Sequence, residues 1–268
     1  MGAAALLGAV ALVPPSGPTD PTISFLDVGQ GDAILIQDGA GAAVLFDGGR
    51  PEARVVHLLR ASGVRRLSLV VATHASADHH GGLAEVIRRV PTDTLLENGD
   101  GTTDPSFLEL LSTARARGVE TVSARAGQRL RIGAIEIDVL SPPPRSPGPA
   151  PEDPNPRAVI SHVRIGELDL LLSADAESPA ILPLELPRVE ILKVAHHGSA
   201  DTGLPTLLER VDPALAAIDV GAENTYGHPH PSTLAALDAA DVETYRTDLD
   251  GTVRLTLQGD RVEVQTGR

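Results

Sequence analysis

Apolar residues in this chain come in short runs, each closed by glycine, proline, aspartate or histidine. Residues 23–26, 34–37, 43–46 and 67–72 are apolar with little interruption, which predicts short strands covered on both faces. Residues 168–173, 189–195 and 215–220 read the same way, with 159–165 pairing as the first arm of a hairpin. Residues 132–140 alternate instead, with Ile135, Ile137 and Val139 on one side, so that strand is half solvated. Further strands are expected at 93–97, 119–123, 242–246, 253–257 and 261–265. Helical spacing appears at 52–61, where Val55, Val56, Leu58 and Leu59 follow Pro51. It appears again at 83–90, 204–210 and 232–240, and over 104–117, opened by Asp104-Pro105 and stopped by Gly118. Many strands with helices set among them predict a layered α/β sandwich, with 141–156 as a proline-rich loop inside it.

Composition narrows this picture. The 268 residues are 42% apolar but only 2% aromatic, without tryptophan, so Ala, Val, Leu and Ile must fill the core. The absence of cysteine excludes disulfides, thiolate metal sites and a Cys nucleophile. A net charge of −14 lacks the basic footprint of a general nucleic-acid binder. It leaves phosphodiester chemistry open, because a metal can hold a phosphate locally. Lys193 is the sole lysine, which reads as coding bias. Residues 1–13 are apolar and uncharged, shorter than a membrane span and without the basic leader of a signal peptide. Pro14, Pro15 and Pro18 end any helix there. An apolar segment with a proline-rich linker over 1–20 and one domain over 21–268 are expected.

Seven of the nine histidines lie in three turn motifs, each behind an apolar strand: His74, His79 and His80; His196 and His197; His228 and His230. Asp47, Asp78 and Asp175 also follow apolar runs. Imidazole and carboxylate together suit zinc, manganese or iron. A carboxylate between two such ions can bridge them, and a nearby histidine can protonate a leaving group. His57, His162 and His230 read as ordinary surface or core histidines.

Five segments carry a family resemblance: Leu26-Asp27-Val28-Gly29-Gln30-Gly31-Asp32-Ala33; Asp47-Gly48-Gly49; Thr73-His74 with Asp78-His79 and Gly81-Gly82; Leu192-Lys193-Val194-Ala195-His196-His197-Gly198-Ser199; and Asn224 with Tyr226-Gly227-His228-Pro229. In this order the chain resembles the metallo-β-lactamase fold, and within it the C-terminal domain of the ComEC competence proteins. The resemblance implies a four-layer αβ/βα sandwich with a metal site at the sheet edges. It implies a hydrolase of nuclease or phosphodiesterase type, with one or two zinc or manganese ions. It places the domain outside the cytoplasmic membrane, at the cell surface, beside a membrane channel domain or chain. The substrate would be single-stranded DNA or another phosphodiester, and residues 1–13 would end the last channel helix. By the same resemblance His74, Asp78, His79, Asp175, His196 and His197 are metal ligands, with Asp175 bridging and His196 favoured within its pair. Asp78 and His228 are the catalytic candidates. Asp32 and Asp47 support the site, and Asn224 and Tyr226 hold substrate.

The chain departs from the family pattern at four places. Ser76 stands where the family has Asp or His, so the metal position of His74 is a ligand short. Ala174 replaces the glycine before the bridging aspartate, Ala158 replaces a serine after Asn155, and His80 takes an apolar position. Two other readings stay open: a degenerate fold with reduced metal binding and a structural or binding role, and a hydrolase of small phosphodiesters.

Overall fold

The continuous apolar runs form strands where the pattern puts them: Thr22–Phe25 (β1), Ile34–Gln37 (β2), Ala43–Phe46 (β3) and Leu67–Ala72 (β4). The structure is a computed structural model that describes residues 16–146, 148–259 and 261–268. The apolar segment expected over residues 1–13 lies outside the described residues, as do Pro14 and Pro15. Among the described residues no helix is long and apolar enough to cross a membrane.

The remaining strands are Thr92–Glu97 (β5), Glu120–Ser123 (β6), Arg129–Ile132 (β7), Ile135–Ser141 (β8), Ile160–Ile165 (β9), Leu168–Leu172 (β10), Ile191–Lys193 (β11), Leu215–Ile218 (β12), Glu243–Arg246 (β13), Val253–Gln258 (β14) and Arg261–Thr266 (β15). They make an eight-stranded sheet, β15-β14-β1-β2-β3-β4-β5-β6, and a seven-stranded sheet, β13-β12-β11-β10-β9-β8-β7. Strands β3 to β6 run parallel, as do β10 to β13. Parallel strands need crossovers, and helices supply them. In the first half these are Val55–Ala61 (α1), Ala77–His80 (α2), Leu83–Arg89 (α3) and Pro105–Ala116 (α4). In the second half they are Ser178–Ile181 (α5), Leu204–Val211 (α6) and Pro231–Ala239 (α7), with Thr247–Asp250 (α8) leading into β14.

The core divides as four layers require. Ile23, Phe25, Phe46 and Val71 of the first sheet meet Ile137, Val163, Leu170 and Ile191 of the second. The outer face of the first sheet, through Leu45, Val70 and Leu95, packs on α1, α3 and α4. That of the second, through Leu171, Leu192 and Ala216, packs on α6 and α7. The expected αβ/βα sandwich is therefore the fold.

The short helices α2, α5 and α8 have no counterpart in the sequence reading, and three further elements differ from it. Residues 132–140 are the turn and second arm of a hairpin, because Gly133, at φ 59°, reverses the chain between β7 and β8. Helix α1 begins at Val55 because Arg54 is left-handed, at φ 53°. Strand β11 stops at Lys193, because the chain then turns to present His196 and His197. The Asp104 cap is as expected: its Oδ1 accepts from the N–H groups of Ser106 (2.8 Å) and Phe107 (2.9 Å). Asp104→Ala will cost about 1 kcal/mol, read as a melting midpoint roughly 2–4 °C lower. An unchanged midpoint would contradict the cap.

Candidate metal centre

Both sheets end their parallel strands at the same edge, where open α/β folds place ligands. Asp47 follows β3, His74 follows β4, Asp175 follows β10, His196 and His197 follow β11, and Asp219 follows β12. Asp32 precedes β2, which runs antiparallel to β3 and so starts at this edge. The turns are tight. Asp47, Ala174, His196 and His197 lie at φ 56°, 48°, 49° and 52°, four of the seven non-glycine residues with positive φ among the described residues, so strain gathers here.

The motifs dock on one another by backbone. The N–H of Asp32 donates to Asp78 O at 3.1 Å, and those of Gly48 and Gly49 donate to His79 O (2.7 Å) and Asp32 O (2.8 Å). Gly31 shows why glycine is needed: a Cβ there would sit 2.2 Å from Asp78 O. Gly198 likewise lets the His196-His197 turn lie against Pro229, 2.7 Å from where its Cβ would be.

Asp175 stands at the middle. Its Oδ1 lies 3.0 Å from His79 Nε2 and 3.7 Å from His197 Nε2. Its Oδ2 lies 3.9 Å from His74 Nε2 and 3.7 Å from His196 Nε2. One carboxylate thus has two imidazoles nearest each oxygen, and the His74 and His79 rings, 4.2 Å apart, meet it as one group. Each imidazole is held by Nδ1. His79 Nδ1 meets Asp47 Oδ2 at 2.8 Å, and His197 Nδ1 meets the carbonyl of Asp219 at 2.8 Å. His196 Nδ1 meets Glu177 Oε1 at 3.0 Å, and His74 Nδ1 meets Thr73 Oγ1 at 3.0 Å. Anchoring Nδ1 fixes the tautomer and aims the free Nε2 inward, as metal sites require.

The chemistry of the donors fits a divalent ion. His74 Nε2 and His197 Nε2 are buried without a hydrogen-bond partner, and burying such atoms unpaired is costly; His79 Nε2 and Asp175 Oδ1, also buried, meet each other at 3.0 Å. Protons feel the same field. Burial opposes charge on His79 and His197, but the surrounding carboxylates outweigh it, Asp175 foremost, raising His79 well above its usual value and His197 to about 10. Burial, together with the charge of His79, pulls His74 down to about 3. Burial raises Asp175, and the imidazoles around it, His79 first, reverse this and hold it well below the ordinary carboxylate range.

Behind the imidazoles lies a second charged layer. Asp32 is fully buried, 3.3 Å from His197 Nδ1 and 3.7 Å from His79 Nδ1. It faces the Nδ1 edges, so it braces the rings rather than joining the group around Asp175. Lys193, also fully buried, puts Nζ 2.5 Å from Asp32 Oδ2 and donates to Ala174 O at 3.1 Å. Burial would raise Asp32, yet Lys193 and the two histidines bring it down to about 2.

The sequence-derived candidates sort as follows. His74, Asp78, His79, Asp175, His196 and His197 converge; Asp78 Oδ2 is 3.5 Å from His197 Nε2. The two histidines of the pair serve different oxygens of Asp175, so the geometry does not prefer His196. Ser76 does not turn to Asp175: its hydroxyl donates to Asp78 Oδ1 at 2.6 Å. His80 does not replace the missing ligand, since it points at Phe107, ring centroids 5.0 Å apart. His228 closes the cavity, its ring 5.7 Å from that of His196. Asn224 is turned to its own loop, donating to Gly221 O and His228 O at 2.8 Å each. His162 pairs with Asp169 at 2.5 Å, and His230 accepts from the N–H of Ser232, away from the centre.

Sequence reasoning missed Lys193, Glu177, Asp219 and Arg50. The signal for Lys193 was present: it is the one lysine among 22 basic side chains, and it lies inside a motif. Asp47→Ala frees the His79 ring and leaves Thr73 without its acceptor. It will weaken metal binding about 10–100-fold, read by competition with a chelating dye, and an unaltered affinity would contradict that role.

The cavity over Asp175 measures about 450 Å³ and is lined by Gln30, Asp78, Asn155, His196, His197 and His228 among others. The sequence profile of the metallo-beta-lactamase superfamily matches residues 26–218. ComE operon protein 3 of Bacillus subtilis is 26% identical over an alignment of 257 positions that covers 87% of this chain and 32% of that protein. Competence protein ComA of Neisseria gonorrhoeae is 27% identical over an alignment of 271 positions that covers 97% of this chain and 36% of that protein. The chain thus spans about a third of the length of these relatives. Among solved structures, Igni18, a metallo hydrolase of Ignicoccus hospitalis, superposes with TM-score 0.58 at 14% identity, covering 88% of this chain and all of that one.

Proposed function

The chain belongs to the metallo-beta-lactamase superfamily, and from that premise we propose that it is a metal-dependent hydrolase of phosphodiester bonds that acts on a single DNA strand during uptake. The observation that carries this reading is the central position of Asp175, one carboxylate with two imidazoles nearest each oxygen. Zinc or manganese is the proposed cofactor. His79, His197, Asp78 and Asp175 Oδ1 would hold one ion; His74, His196 and Asp175 Oδ2 would hold a second, more weakly, because Ser76 offers it nothing. A bound divalent ion supplies Lewis acidity and a nucleophile at neutral pH.

The chain's own residues do the rest. Asp47, Glu177 and the Asp219 carbonyl keep the imidazoles oriented. Asp32 and Lys193 balance charge beneath them. His228 lines the same cavity, its ring 5.7 Å from that of His196, where it can hydrogen-bond to a leaving oxygen. Residues 21–268 form the proposed catalytic domain, with 1–20 leading into it. The kinship with a protein named for competence supports a setting outside the cytoplasmic membrane, next to a channel domain or chain.

The test is metal analysis with turnover. Purified protein loaded with manganese or zinc is expected to retain one tightly held ion and to hydrolyse bis(4-nitrophenyl) phosphate and single-stranded DNA. Chelation should abolish both activities. A protein that binds no ion, or an activity indifferent to chelation, would refute the reading and favour a binding module.

A further inference from the structure

Resting on the phosphodiester reading, we propose that Tyr226 and Arg50 form a platform for one nucleotide of a single strand beside the metal centre. The Tyr226 ring stacks on an unpaired base, and the Arg50 guanidinium holds the neighbouring phosphate.

The chain has three phenylalanines, two tyrosines and no tryptophan. The phenylalanines are all buried. Tyr245 is partly covered, and its hydroxyl donates to Glu243 at 2.5 Å. Only Tyr226, 59% exposed, offers a ring face to solvent, and it does so at the mouth of the metal cavity. That exposure is not looseness. Asn224 Oδ1 accepts from the N–H groups of Tyr226 (3.2 Å) and His228 (3.1 Å), fixing the loop. The ring lies 5.9 Å from that of His228 at an interplanar angle of 30°, which backs one side, while 59% of the residue remains exposed. A rigid, one-sided aromatic is the usual stacking platform for a nucleobase.

Arg50 completes it. Its Nη2 donates to the Tyr226 hydroxyl at 3.1 Å, and its Nε is buried without a partner. A guanidinium so placed wants an anion, and phosphate suits its planar donors. Arg50 and Tyr226, with Gln30 and Glu52, also line a second cavity of about 540 Å³ that continues toward Asn224 and Arg268. A small diester fills the first cavity alone, whereas a polynucleotide leaving the metal centre crosses the Arg50–Tyr226 bridge into the second. A paired base has no free face for the ring, which selects single strands. With a net charge of −14 there is no broad basic track, so recognition is local and salt dependence is small.

The experiment measures binding and selectivity separately. Binding of a fluorescein-labelled ten-nucleotide oligothymidylate is followed by anisotropy in chelator, with hydrolysis of the oligonucleotide and of bis(4-nitrophenyl) phosphate measured in manganese. Tyr226→Ala is expected to weaken binding about 10-fold and to lower the preference for the oligonucleotide over the small diester by a similar factor. Tyr226→Phe keeps the ring and should stay within about 3-fold of wild type. Arg50→Met is expected to lower the slope of log affinity against log salt by about 0.7, the share of one phosphate. Unchanged affinity and preference in Tyr226→Ala would overturn the proposal, as would a wild type that hydrolyses the small diester yet does not bind the oligonucleotide. If neither substrate is cleaved but the binding series holds, the hydrolase reading falls and the platform stands.

Discussion

Exchanging Asp175 for asparagine will leave a folded protein that neither retains metal nor hydrolyses a phosphodiester above background. The amide keeps the shape of the carboxylate but removes the charge on which four imidazoles converge, at 3.0 to 3.9 Å. It offers one weak oxygen where two strong ones stood, and the inward Nε2 atoms lose the anion that balances a cation. A fall in kcat/KM of at least ~1000-fold is expected, about 4 kcal/mol of transition-state stabilisation. Elemental analysis, circular dichroism and a bis(4-nitrophenyl) phosphate assay read metal, fold and activity in turn. Asparagine at 175 with wild-type metal content and turnover would refute the bridging role.

The second large effect lies beneath the centre. Lys193→Met removes the nearest cation to Asp32, 2.5 Å away in a fully buried setting, and leaves that carboxylate only the His79 and His197 rings. The under-compensated carboxylate then acts on buried Asp219, whose own acid is already pushed well above its usual range by burial and by Asp32. Breaking a buried pair on one side costs about 3–5 kcal/mol, and for a domain of this size that lowers the melting midpoint on the order of 10 °C. The double exchange Lys193→Met with Asp32→Asn removes both charges and should recover a good part of the loss. A single variant that melts with wild type would show that the pair contributes nothing.

How legible the molecule is from sequence depends on how local the cause is. Strands β2, β3 and β4 are buried on both faces, so their identity is written in their own residues, and the pattern finds their limits. The β7–β8 hairpin was hidden because Arg129 and Arg131 alternate with apolar residues outside any long run, and Gly133 alone marks the reversal. Helix α2 is one turn long and has no period to detect. The ligands could be read because each hangs from the end of an apolar strand. Ser76 could be read as a departure, but its bond to Asp78 could not, because that depends on a side-chain rotation. Lys193, Glu177 and Arg50 act across 19 to 176 residues of chain, on Ala174, His196 and Tyr226. Such pairings arise only when both sheets are folded.

His74, Asp78 and His79 hang from the first sheet, and Asp175, His196 and His197 from the second. An ion taken up by this set is a ligand of the native chain alone, since unfolding scatters its donors over more than a hundred positions. Mass action then ties folding to supply: above the dissociation constant, each ten-fold rise in free metal adds about 1.4 kcal/mol to the stability of the closed pair of sheets. On the proposed metal binding, the two halves lose that clasp in a metal-poor medium. The temperature at which the protein melts then becomes a gauge of how much free ion surrounds it.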